Sequence, residues 1–223
     1  MARTKKETSD ELIETIELDC MGLRIPDKIK DEAISIVKKY LKKGHLQGRD
    51  IENYAAGFIW LACKKWNYPL TAKNINDVLN LDSYTTKGVL LITRCGNYIA
   101  RVAEEHFAPV TLSKYVETIQ AQMHSGPDAM ATSFRMIDYI EKNNIVVGYN
   151  NPALASAIAY LCDRINGYRN IEKDYAKIIG TTEISLRNYK RKLLEVIPGL
   201  KQYGTRYKWT EGVVTQPENV VTQ

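Results

Sequence analysis

Residues Asn170–Pro198 read NIEKDYAKIIGTTEISLRNYKRKLLEVIP, and this stretch decides how the chain is read. Ile171, Tyr175, Ile178 and Ile179 recur at helical spacing and give a first short helix one apolar face. Gly180 follows, where a helix commonly closes on a left-handed residue. Thr181 or Thr182 can cap the next helix, because a threonine oxygen accepts a free N–H of the first turn. In that second helix Leu186, Leu193 and Ile197 form the apolar stripe, and Pro198-Gly199 stops it. Ser185, Arg187, Asn188 and Arg191 lie largely off the stripe. The pattern is a helix-turn-helix. Hydroxyl, guanidinium and amide groups on its second helix are those that read base edges in a major groove, and Lys190, Arg191 and Lys192 suit phosphates. The plainer alternative is a basic, solvated helix face.

Outward from this stretch the chain reads as helices throughout. Met1–Ser9 is polar and charged, a composition expected to be disordered. Asp10 is expected to cap a helix over Asp10–Met21, with Leu12, Ile13, Ile16 and Cys20 inward and Gly22 closing it. Pro26–Lys43 is a second, with Ile29, Ala33, Ile36, Val37, Tyr40 and Leu41 at helical spacing. Asp50–Trp66 is apolar almost all round, as a helix at the centre of a bundle must be. Thr71–Leu81 is short, with Ile75, Val78 and Leu79 inward. Thr85–Glu105 is a fifth, which Gly96 is expected to interrupt, at about 1 kcal/mol relative to alanine.

The pattern then restarts with Leu112–Met123, Pro127–Lys142 and Pro152–Ile165, the last capped by Asn150 or Asn151. FIWLACKKWNYPLT (Phe58–Thr71) stands against IAYLCDRINGYRNI (Ile158–Ile171), about one hundred residues on. The reading is an all-α protein of two similar bundles of about five helices each, the second ending in the helix-turn-helix. Boundaries follow at residues 10–108 for the first repeat and 109–200 for the second. The tail from 201 to 223 is polar; Tyr203, Tyr207 and Trp209 are expected to pin its first part back, and its last ten residues to be disordered.

Composition removes several function classes. The net charge of +5 permits an anionic partner without requiring one. Cys20, Cys63, Cys95 and Cys162 form no CxxC pair, so no zinc site is expected and they read as small buried hydrophobes in reduced surroundings. No apolar run approaches the roughly 20 residues of a membrane span, and no secretory signal opens the chain, so a soluble intracellular protein is expected. His45, His106 and His124 have no paired carboxylate, nucleophile or phosphate-cradling loop beside them. Neither catalysis nor a cofactor is called for.

GRDIENYAAGFIWLACKK (Gly48–Lys65) and TTEISLRNYKRKL (Thr181–Leu193) resemble two runs of the cyclin-like core of archaeal transcription factor B and eukaryotic transcription factor IIB. The resemblance covers about Asp10 to Gly199. It implies two tandem cyclin-like five-helix bundles that bind the complex of TATA-binding protein with promoter DNA. RNA polymerase is a further partner it allows, and a nucleoid or nuclear location follows. It implies that Arg187 and Asn188 stand at the family's R-N, Ser185 at its Thr, and that Thr182 and Glu183 open the helix that reads the element upstream of TATA. First-bundle contacts downstream of TATA would come from Tyr84–Lys87, with Lys87 kept and the family's arginine replaced by leucine. The family's R-Y is exchanged here to Tyr189-Lys190. Its zinc ribbon and reader segment have no match, which leaves a truncated core or a divergent paralogue acting as a regulator. A cyclin-like protein-binding module without DNA contact is the remaining alternative.

Overall fold

The computed structural model describes residues 5–43, 46, 50–81, 85–148, 150–197 and 199–200. Ten α-helices and no strand occur among them. They fall into two compact units, residues 1–110 and 111–223. The expectations for Tyr203, Tyr207, Trp209, the last ten residues and the Asp82–Tyr84 turn lie outside the described residues.

The first unit holds α1 (Lys5–Gly22), α2 (Asp27–Lys43), α3 (Ile51–Lys65), α4 (Ala72–Leu79) and α5 (Thr85–Ala103). Its centre is α3, buried without a break from Asn53 to Cys63. Asp50 caps it, accepting from the Asn53 amide at 3.3 Å. Around it pack α1, α2 and α5. They contribute Leu12, Ile16 and Cys20; Ile29, Ala33, Ile36, Val37 and Tyr40; and Ile92 and Ile99. Tyr40 lies edge-on to Phe58, with ring centroids 5.6 Å apart.

The α3–α5 crossing depends on two glycines. A Cβ on Gly57 would stand 2.9 Å from the Cys95 Cβ, and one on Gly96 would stand 2.4 Å from the Trp60 ring. Gly96 therefore does not interrupt α5, which is continuous through it. Its missing side chain is what lets the helices approach.

The second unit holds α6 (Leu112–Gln122), α7 (Pro127–Lys142), α8 (Asn151–Ile165), α9 (Glu172–Ile178) and α10 (Glu183–Val196). Here α8 takes the central place, buried from Ala153 to Ala159, with Asn150 as its cap. Its Asp163 is fully buried. That carboxyl accepts from Tyr175 Oη at 2.5 Å, Ser125 Oγ at 2.6 Å and Gln120 Nε2 at 3.1 Å, so it joins α6, α8 and α9.

Several expectations are corrected. The first helix begins at Lys5, so Asp10 is inside it and residues 5–9 are ordered helix. The left-handed residues after α1, α5 and α6 are Arg24, Glu104 and His124, with glycine in that role at Gly167 and Gly180 after α8 and α9. Side chains with a Cβ tolerate that region less well than glycine, so sequence gives no mark of these turns. Val78 and Ile171 are 55% and 60% exposed, because each sits at the end of a short helix beyond its neighbours' reach. Cys95 is half-buried, while the other three cysteines are buried.

Asp19 gives the first unit a pH dependence. Its Oδ2 is buried without a hydrogen-bond partner among the described residues. Burial, with the Glu52 charge adding to it, pushes its carboxyl up to about 6 from 3.8. The folded protein then binds a proton that the unfolded chain releases near pH 4. This contribution to stability is full at low pH and falls as pH rises from about 4 to about 6. Asp19→Asn is expected to flatten this slope in urea midpoints measured from pH 4 to pH 7. An unchanged slope would show that Asp19 is not its source.

Candidate nucleic-acid interface

The α9–α10 pair is shaped by the residues that the sequence marks. Gly180 adopts φ 62°, and the Thr181 amide donates back to the Ala176 carbonyl at 2.9 Å. Of the two candidate caps it is Thr182 that caps α10, accepting from the Ser185 amide at 3.1 Å and donating its hydroxyl to Ser185 Oγ at 2.8 Å. Tyr175, Ile179, Leu186, Leu193 and Ile197 fix the pair to the core. Tyr175 also meets the Tyr160 ring edge-on at 5.4 Å.

With that face buried, the outer face of α10 follows. Ile184 is 70% exposed, and Thr182, Arg187, Asn188 and Arg191 are exposed. Ser185 is half-buried beside its cap. Among the described residues the side chains of Asn188 and Arg191 have no hydrogen-bond or ion-pair partner. Arg187 is engaged: its Nε donates to Glu172 Oε2 at 2.6 Å and its Nη2 to Glu183.

Lys190 is placed differently from the sequence expectation. Its ammonium is bonded to Glu172 and lies 5.3 Å from the Tyr160 ring centroid, with 18% of its side chain exposed. It seals the α8–α9–α10 junction and is not presented to a phosphate. Burial alone would raise the Glu172 carboxyl. Hydrogen bonds from Lys190 and Arg187 outweigh it and hold the group below the ordinary glutamate range.

The neighbouring tyrosine of the exchanged pair also points inward. Tyr189 Oη accepts from the Asn150 amide at 3.0 Å and covers Gly148, where a Cβ would stand 2.7 Å from that oxygen. Lys192 donates to the Val147 carbonyl at 3.1 Å and lies over the Tyr189 ring, so it too is tied to the turn before α8.

In the first unit Lys87 is exposed in the opening turn of α5. Gly88 beside it is buried, because any Cβ there would collide with the Asn76 amide. The exposed stripe continues through Leu90, Arg94, Asn97 and Arg101. Lys87, Arg94 and Arg101 recur every seventh residue, about 10 Å apart along the axis. Arg94 and Arg101 were missed in the sequence reading, although this heptad recurrence marks them. Two more apolar groups went unmarked: Ile184 on α10 and Leu90 on α5.

The opposite character belongs to α1, whose exposed Glu14, Glu17, Leu18 and Met21 do not suit a polyanion. Among the described residues no His/Cys/Asp/Glu group is arranged to hold a metal ion. No helix there is long and apolar enough to cross a membrane.

Residues 6–94 match the family described as the transcription factor TFIIB repeat. The chain is 27% identical over 181 residues to the transcription initiation factor IIB of Sulfurisphaera tokodaii, covering 80% of this chain and 57% of that protein. It is 26% identical over 183 residues to that of Ignicoccus hospitalis, covering 81% and 56%. With the Methanopyrus kandleri factor it shares 24% over 175 residues, covering 78% and 55%. The chain thus spans a little over half the length of these relatives.

Proposed function

Because the chain belongs to the transcription factor IIB family, we propose that it acts in transcription initiation by binding, without catalysis, the complex of TATA-binding protein with promoter DNA. In this reading α10 enters the major groove upstream of TATA. The observation that carries it is the outer face of α10, where the Asn188 and Arg191 side chains have no partner among the described residues and Ile184 is exposed. An amide at Asn188 suits adenine, a guanidinium at Arg187 suits guanine, and the Ile184 methyls suit a thymine methyl. Thr182 and Ser185 line the start of the same face.

Arg191, and on the first unit Lys87, Arg94 and Arg101, supply phosphate contacts. Those contacts give affinity that falls with salt, while α10 gives orientation. RNA polymerase is the further partner expected of an initiation factor.

The test is a gel shift on a TATA promoter fragment, with and without TATA-binding protein, using upstream flanks of different sequence. Arg187→Ala is expected to weaken binding ten- to a hundredfold on the preferred flank and little on the others. Arg191→Ala is expected to weaken every flank alike and to lower the salt slope by about one. Equal losses on all flanks for Arg187→Ala would sink base reading by that residue. No shift on any flank would move the function to a protein-binding cyclin-like module.

A further inference from the structure

We infer that Glu172 is a specificity-determining positioning residue, which holds the Arg187 guanidinium by one edge so that its other edge is presented to a single base pair. The inference rests on the reading of α10 as the DNA-reading helix.

Two guanidinium nitrogens of Arg187 are engaged, Nε by Glu172 on α9 and Nη2 by Glu183 on α10. These two nitrogens form one edge of the planar fork. A guanidinium has five N–H donors. With one donated to each carboxylate, three remain, two on Nη1 and one on Nη2. A bidentate contact to a base needs two of them. The guanidinium is thus anchored and still able to read.

The anchor is itself well held. Only 13% of the Glu172 side chain is exposed, and its Oε1 is taken by Lys190, which is packed on Tyr160. The two oxygens therefore have separate partners, and the oxygen facing Arg187 is fixed in place. A long side chain anchored in this way loses less freedom on meeting a base than a free one does.

Charge points the same way. Arg187 and Lys190 carry two positive charges, and Glu172 and Glu183 two negative ones. The cluster is neutral as a whole, so Arg187 adds little general attraction for phosphate. What it retains is directional hydrogen bonding, which discriminates between sequences.

Two variants with the same loss of charge separate geometry from electrostatics. Glu172→Gln keeps an oxygen able to accept from Arg187 Nε, and Glu172→Ala does not. Binding would be measured with TATA-binding protein on a preferred and a scrambled upstream flank, over a range of salt. The ratio of the two affinities is expected to stay within about twofold for Glu172→Gln and to fall about tenfold for Glu172→Ala. Affinity for the scrambled flank should rise in both, because a carboxylate near the phosphates is gone. A purely structural role would instead lower affinity on both flanks together with the thermal midpoint.

An unchanged ratio in Glu172→Ala, or equal changes in the two variants, would overturn the inference while leaving the reading of α10 intact. A wild-type protein without flank preference would overturn that reading and this inference with it.

Discussion

Asp163→Ala is expected to destabilise the protein by about 3 kcal/mol or more, with the loss confined to the second unit. The carboxyl is fully buried and accepts from Tyr175, Ser125 and Gln120. Alanine would leave three donors without this acceptor, two of them on the buried Tyr175 and Gln120, and each buried unsatisfied group costs about 1–3 kcal/mol. A cavity adds to that loss. Asp163→Asn should fall between, since one oxygen remains while its amide hydrogens face other donors.

Urea unfolding followed by circular dichroism gives the size of the effect. Hydrogen exchange places it: α6, α8 and α9 should lose protection while α1–α5 keep theirs. A loss under 1 kcal/mol for the alanine variant would mean that the three donors find other partners. The consequence reaches the outer face of α10, because Tyr175 anchors α9, and α9 carries the Glu172 that holds Arg187.

Gly96→Ala is the second large effect, and its sign is opposite to what helix propensity says. Alanine favours an exposed helix by about 1 kcal/mol over glycine. Here the new Cβ would stand 2.4 Å from the Trp60 ring. That ring is 7% exposed and wedged against Phe107, with Lys64 Nζ 4.7 Å from its centroid, so it has little room to yield. Overpacking of this kind costs about 1–3 kcal/mol, and a net loss of about 2 kcal/mol is expected.

A double-mutant cycle with Trp60→Ala tests the cause. Without the ring, Gly96→Ala should become neutral or stabilising. A loss that persists in the Trp60→Ala background would place the strain at the backbone instead.

How much of this was legible beforehand differs by element. The α7 limits, Pro127–Lys142, agree with the sequence pattern at both ends, since Pro127 opens the helix and an apolar repeat marks its inner face. The start of α1 was misread because polarity suggested disorder. Charged residues such as those of Lys5–Ser9 are good helix formers once a helix is nucleated nearby.

Gly96 was read by intrinsic propensity alone. Propensity concerns the isolated helix, and the Trp60 ring comes from a different one. Asp163 gave no signal, because the partners that make it a hub lie 12, 38 and 43 residues away in sequence.

The α9–α10 pair draws the line between the two kinds of information. The chain by itself determined that two helices form there, where they break, and which residues anchor them. Helix period, a glycine at the turn and a capping threonine are local properties, set by residues within a few positions of one another. Which cations face outward was decided only by tertiary structure. Lys190 and Arg191 are neighbours, yet successive residues differ by about 100° around a helix. Glu172 and the Tyr160 ring, both from other helices, draw Lys190 inward, and no group among the described residues draws Arg191. The same carboxylate orients Arg187 across a separation of 15 residues. Residue type and spacing mark a basic face, but the direction of each charge depends on groups brought alongside by folding.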